Sequence, residues 1–155
     1  MSDVTYRRAR PGDFLEIAAL DRGAWRQNAD ATFVPDGEHV WRLWVEHALT
    51  FVACQGSELV GAVLAFPCLA GSWCLHKVMV QEVFRGRGIG SGLFRVLLAE
   101  LDDRGAEVFL TVDPANQRAR RLYEGFGFAE SVFVSGFYRP EEDRLVLSRR
   151  ALSGT

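Results

Sequence analysis

Residues 85–92 read Arg-Gly-Arg-Gly-Ile-Gly-Ser-Gly, with glycine at every second position between a strand-like run and an amphipathic helix pattern. Glycines at such a junction let backbone N–H groups face one concavity without interference from Cβ atoms. The helix that follows adds N–H groups that have no intrahelical partner, and the positive end of its dipole. The chemistry this predicts is anion binding, most naturally of phosphate. Arg85 and Arg87 add local positive charge in a chain whose formal net charge is −2. A P-loop is excluded because no lysine follows the glycines. The dinucleotide fingerprint fails on spacing: counting from Gly86 puts Ser91 at the third glycine position, and counting from Gly88 puts Leu93 there.

The elements that must hold this turn can be read from periodicity and breakers. Val4 to Ala9 reads as a strand. Asp13 and Glu16 form a capping-box pattern for a helix through about Trp25. A second helix is expected from Glu38 to about His47, with Val40, Trp41, Trp44 and Val45 at helical spacing. Thr50–Gln55 and Leu59–Phe66 read as a hairpin across Gly56-Ser57-Glu58, and Trp73–Val80 as the strand entering the glycine turn. After the turn, Ile89, Leu93, Leu97 and Leu101 mark an amphipathic helix closed by Gly105. Glu107–Val112 lacks alternation and reads as a strand covered on both faces. A short helix from about Asn116 to Gly125 or Gly127 and two strands, Phe128–Phe137 and Arg144–Ser148, complete the chain. The order predicts a mixed α/β (α+β) fold in one domain over residues 1–155. Its central sheet has about seven mostly antiparallel strands, with about four helices on both faces.

Composition narrows the function classes. A pI near 5.9 argues against general nucleic-acid binding, which needs a basic field. Cys54, Cys68 and Cys74 are odd in number and lack CxxC spacing, so neither a disulfide frame nor a metal site is expected. No stretch approaches the roughly 20 apolar residues of a membrane span, and the N-terminus lacks a secretion-signal pattern. The expected localisation is cytoplasmic.

Two motifs together resemble the GNAT family of N-acetyltransferases. Arg85-x-x-Gly88-x-Gly90, preceded by Val78-Met79-Val80, looks like that family's acetyl-CoA turn. Asn116-x-x-Ala119-x-x-x-Tyr123, followed by Gly125-Phe126-Gly127-Phe128, resembles its downstream signature. The resemblance implies a GNAT acyl-CoA acyltransferase fold and acetyl-CoA as cosubstrate. It also implies that the main chain of Val78, Met79 and Val80 pairs with the pantetheine arm. The turn Arg85, Gly86, Arg87, Gly88, Ile89, Gly90 and Ser91 would bind the pyrophosphate, and Asn116 would lie near the sulfur-bearing arm. Read by itself, Asn116 is a plain helix N-cap.

In the same family reading Tyr123 contacts the cofactor and is the general acid. Attack of an amine on the thioester expels a thiolate that needs a proton, and a phenol held close to the sulfur can give one. The amine must also lose a proton. Many relatives place a glutamate on the strand before the glycine turn, but here Trp73-Cys74-Leu75-His76-Lys77-Val78 holds no carboxylate. His76 is the substitute, on the strand face of Cys74 and Val78. A water-mediated route is the alternative.

The acceptor would lie against segments holding Trp25, Asp30, Phe33, Asp36, Glu38, Trp41 and Trp44, with Phe133, Phe137 and Tyr138 from the tail. Acidic and aromatic groups suit a cationic amine, although Trp41 and Trp44 read equally well as helix-packing core. The leading expectation is acetylation of a primary amine of a small molecule, by direct attack in a ternary complex. Alternatives are a protein N-terminal or lysine acetyltransferase and a non-catalytic acyl-CoA sensor. Neither a nucleic acid nor a membrane is an expected partner; a homodimer is a family expectation.

Overall fold

A computed structural model describes residues 3–27 and 34–152. The elements follow the order read from sequence: β1 Val4–Arg8, α1 Phe14–Gln27, α2 Glu38–His47, β2 Leu49–Gln55, β3 Glu58–Pro67, β4 Trp73–Val80, α3 Ile89–Asp103, β5 Val108–Val112, α4 Gln117–Gly125, β6 Glu130–Val134 and β7 Arg144–Arg149. The seven strands hydrogen-bond in the order β1-β2-β3-β4-β5-β7-β6. The pairs β1·β2, β2·β3, β5·β7 and β6·β7 are antiparallel, and β4·β5 is parallel through Trp73↔Val108 and Cys74↔Phe109. The mixed, mostly antiparallel sheet with four helices is therefore as expected.

The chain divides into two compact units, Met1–Phe66 with His76–Ala99, and Pro67–Leu75 with Glu100–Thr155. In the first, α1, α2 and the strands β2 to β4 enclose a core of Ile17, Trp41, Val45, Val52, Leu59, Leu64 and Met79, with Phe14, Trp44 and Phe66 packed against it. Burying each large side chain of this set contributes about 1.5–3 kcal/mol. Gly61 in β3 is required by close approach: a Cβ there would stand 3.1 Å from the Met79 carbonyl oxygen and 3.1 Å from Leu93. In the second unit α3 ends as its sequence predicts. Gly105 takes φ +63°, and Ala106 N–H bonds the Leu101 carbonyl at 2.9 Å, a Schellman closure.

Three expectations need correction. The first helical region already begins at a 3-10 turn over Pro11–Asp13. Asp13 reaches back to the Arg10 N–H (2.7 Å) and to both terminal nitrogens of Arg7 (2.8 and 3.1 Å) instead of boxing with Glu16. Strand β5 alternates in burial, with Val108, Leu110 and Val112 inside and Phe109 and Thr111 half-buried, so it is not covered on both faces. The tail strand stops at Val134, not Phe137. Gly136 turns left-handed (φ +59°) and its N–H goes to Asp143 Oδ1 at 3.0 Å, which withdraws that amide from any ladder.

Candidate active site

The glycine turn divides into parts with different duties. Gly86 and Gly88 both have φ +79°, where an L side chain is strained, and nothing lies within 4 Å of the position a Cβ would take. Helix α3 starts at Ile89, and its Gly92 N–H bonds the Gly88 carbonyl at 3.0 Å. The amides of Ile89, Gly90 and Ser91 therefore have no partner inside the helix and supply its anion-binding end.

Gly92 lies outside that cradle, and its reason is packing, because a Cβ there would collide with the Tyr6 ring. Arg85 donates from Nε to the Val80 carbonyl at 3.1 Å, tying the turn to the end of β4. Arg87 rides over the Phe84 ring, 5.2 Å from its centroid. Val78 and Val80 are half-buried on the outer face of β4, while Met79 points into the core. Beside the turn opens a cleft of about 470 Å³, lined by Leu20, Ala24, Leu59, Val80, Glu82 and Arg85 among others. An exposed run of backbone amides with two forced-glycine corners suits a phosphate-bearing anion.

The main addition to the sequence reading lies on β4. Its alternation puts Leu75, Lys77 and Met79 inward and His76 outward with Cys74 and Val78. Lys77 is buried (8% exposed), and Asp21 of α1 is fully so (0%). Lys77 Nζ sits 2.9 and 3.1 Å from the two Asp21 oxygens, 2.7 Å from the Val34 carbonyl and 2.9 Å from Asp36 Oδ2. Asp21 Oδ2 also accepts from the Trp41 indole (3.0 Å) and the Asp36 N–H (2.8 Å).

Asp36 in turn meets His76 Nε2 at 3.0 Å. A carboxylate can only accept, so Nε2 carries the hydrogen of this bond, and in the neutral ring the lone pair is on Nδ1. The imidazole is walled by Trp44 (5.4 Å between centroids) and Phe66 (5.8 Å). Burial pushes the Asp36 carboxyl up, but hydrogen bonds from His76 and Lys77 and the lysine charge outweigh it and hold it below its ordinary value. The carboxylate missing from the strand is thus brought to His76 from the α1–α2 connection. An inward-facing lysine between Leu75 and Met79 was the available signal, since a buried ammonium requires an acidic partner.

Of the other expected acceptor residues, Trp41 is fully buried core, Trp44 is half-buried and stacks on Phe66 (6.2 Å, 5° between planes), and Trp25 and Glu38 are exposed. Asp30 and Phe33 lie outside the described residues.

In the second unit Asn116 caps α4, its Oδ1 accepting from Ala119 N–H at 3.1 Å. That use leaves the Nδ2 amino group as the end a ligand could meet. The Gly-Phe signature is a helix stop. Gly127 has φ +95°, and Phe128 N–H bonds the Tyr123 carbonyl at 3.1 Å, while buried Phe128 sets its ring 6.1 Å from that of Tyr123. Burial raises the Tyr123 phenol above its usual range, so it stays protonated through neutral pH. Phe133, Phe137 and Tyr138 are exposed, and Tyr138 Oη pairs with Thr111 Oγ1 at 3.0 Å.

Residues 14–128 match the Acetyltransferase (GNAT) family. This chain belongs to that family. It is an acetyl-CoA-dependent N-acetyltransferase. An N-alpha-acetyltransferase of Saccharolobus solfataricus is 26% identical to it, over 95% of this chain and 93% of the relative. The crystal structure of the ribosomal-protein-S18-alanine N-acetyltransferase from Escherichia coli superposes with a TM-score of 0.80 at 22% identity, covering 99% of this chain and 97% of that one. Diaminobutyrate acetyltransferase from Paenibacillus lautus, solved with its substrate and coenzyme A, gives 0.77 at 18% identity, covering 100% and 99%. Among the described residues of this enzyme no helix is long and apolar enough to cross a membrane.

Proposed function

We propose that this enzyme acetylates the α-amino group of a protein or peptide N-terminus, with His76 as the base and Tyr123 as the acid. The observation that carries the reading is the His76–Asp36 contact of 3.0 Å, which turns Nε2 to the carboxylate and supports Nδ1 as the basic atom. An α-ammonium ordinarily titrates at about 7.7–8.0 and a lysine ε-ammonium at about 10.4. An imidazole is a closer match in strength to the first than to the second. The names of the Saccharolobus and Escherichia relatives, both α-amine acetyltransferases, support the same acceptor class.

Acetyl-CoA supplies the thioester, held by the amides of Gly86 to Ser91 with Arg85 and Arg87 adding positive charge, along the main chain of Val78, Met79 and Val80. Asn116 would offer its amide near the reacting end. Tyr123 keeps its proton at Oη until a leaving sulfur needs it. The second reading, acetylation of a small-molecule amine, is favoured by the exposed Trp25 and Glu38 at the ends of α1 and α2. The structural likeness to the diaminobutyrate enzyme points the same way.

Thiol release from acetyl-CoA separates the two. The panel holds peptides with free N-termini, the same peptides N-terminally blocked but carrying lysine, and small diamines and polyamines. Turnover of the free N-terminus that blocking abolishes is expected; preferential turnover of the blocked lysine peptides or of the small amines overturns the acceptor class. Tyr123→Phe should lower kcat by about 100-fold or more on the same acceptor, and full activity would remove Tyr123 as the acid.

A further inference from the structure

We propose that the buried Asp21–Lys77 pair is a positioning device that fixes Asp36 and, through Asp36, makes His76 the acceptor of the substrate amine's proton. The inference rests on His76 being the base but not on which amine is the acceptor.

The case begins with charge. Two carboxylates, Asp21 and Asp36, share one ammonium, Lys77, and all three are wholly or largely withdrawn from water. Among the described residues the carboxylates of this cluster outnumber the ammonium by one charge. The Asp21 oxygens are committed to Lys77, the Trp41 indole and the Asp36 N–H. The surplus falls on Asp36, whose Oδ2 faces His76 Nε2. A proton arriving at Nδ1 turns the group into two anions and two cations. The proton leaves the amine nitrogen, and the N–H electron pair stays on nitrogen and forms the new C–N bond. The thioester C–S bond breaks with its pair leaving on sulfur, which takes the Tyr123 proton, and the imidazolium later returns its proton to solvent.

Geometry makes the same point. Asp36 follows a connection between two helices, where a side chain alone would be poorly placed. Here its segment is held at three atoms: the Asp36 N–H on Asp21, the Val34 carbonyl on Lys77 Nζ, and the Asp36 carboxylate on Lys77 Nζ. Among the described residues the groups facing His76 are Asp36 from the connection, Trp44 from α2 and Phe66 from β3, and of these Asp36 is the charged one. Lys77 and Asp21 stand behind Asp36 and touch no reacting atom, so their role is positioning.

The two signs of charge give a test that a purely structural cluster would fail. Asp36→Asn keeps a hydrogen-bonding side chain but removes the anion that favours imidazolium. The acidic limb of the kcat/KM–pH profile should move down by about 1 pH unit, with a plateau at least about 10-fold lower. Lys77→Met leaves both carboxylates uncompensated, and the limb should move up by about half a unit; Lys77→Arg should restore it toward wild type. The acceptor's own titration is common to all variants and drops out of the comparison.

In case Lys77→Met does not fold, Asp21→Asn supplies the second arm, with a downward shift smaller than that of Asp36→Asn. NMR titration of the imidazole signals of His39, His47 and His76 reads the same shifts without turnover. It stands whichever amine the acceptor panel selects. Opposite displacements in the Asp36 and Lys77 variants support the proposal. Lower rates with an unmoved limb and an unmoved His76 titration overturn it.

Discussion

Among the described residues each unit of this enzyme buries one cation on carboxylate, and the two sites are built differently. In the second unit Arg149 (4% exposed) meets Asp102 through two parallel bonds, Nη1 to Oδ1 at 2.8 Å and Nη2 to Oδ2 at 3.0 Å. Its Nε donates to the Phe126 carbonyl at 2.8 Å, and Asp102 also accepts from Leu152 N–H at 2.9 Å. One cation meets one anion, and all three guanidinium nitrogens donate. Lysine in the first unit has no fork, gathers two carboxylates and a carbonyl, and leaves charge over for a histidine. The closed pair ties the end of α3, the Gly-Phe turn and the end of β7 together, whereas the open cluster keeps a group ready to change protonation.

The largest expected effect tests that division. Arg149→Met leaves Asp102 and the Phe126 carbonyl without their partner and should cost about 3–5 kcal/mol, a fall in Tm of roughly 10 °C for a chain of this size. Lys77→Met should cost a similar amount. Only the lysine variant should displace the pH profile. Thermal melts paired with pH–rate profiles on the folded fraction decide it, and a displaced limb in Arg149→Met would erase the contrast.

Glycine repeats the pattern on a smaller scale. Gly88 and Gly127 both sit at positive φ, so alanine at either should add about 1–2 kcal/mol of strain. A Cβ at Gly88 meets nothing within 4 Å, while one at Gly127 lands 3.4 Å from Arg149 Nε. Gly88→Val should therefore lower the affinity for CoA at least about 10-fold in calorimetry, while Gly127→Ala lowers Tm and leaves that affinity in place. Unchanged CoA affinity in Gly88→Val would show that the turn does not hold the diphosphate.

These sites also mark what could be read from sequence. The glycine turn, Asn116 and the Gly-Phe stop are local: each is a helix end whose chemistry lies within a few consecutive residues, so the sequence displays it whole. The split of duties within the turn was hidden, because nothing in the string places Tyr6 against Gly92. His76 was visible as a residue and incomplete as a site. Its partner Asp36 lies 40 positions upstream, and Lys77 finds Asp21 across 56. Pairings at that range are set by which helix packs over which strand. A lone aspartate in α1 reads as one more solvent-facing acid until the fold buries it completely. The departure from the family's strand glutamate was legible, and its resolution needed three dimensions.

The smallest expected effect concerns acid. Asp102 is held below the usual carboxylate range, first by its hydrogen bonds to Arg149, with Leu152 N–H and the arginine charge helping against burial. Asp36 is also lowered, its bonds from His76 and Lys77 overcoming burial. A carboxyl whose folded value is depressed contributes stability that is complete above its unfolded value of about 3.9 and is lost as pH falls through the folded value. Urea midpoints between pH 7 and pH 2 should therefore fall steeply only below about pH 4. Asp102→Asn should be less stable at neutral pH and flatter in that window. Asp36→Asn should flatten it less, because burial, the largest influence on Asp36, works against its lowering, whereas at Asp102 the hydrogen bonds from Arg149 lead. Equal flattening in both would mean that the open cluster holds its outer carboxylate against protons as firmly as the arginine clamp holds Asp102.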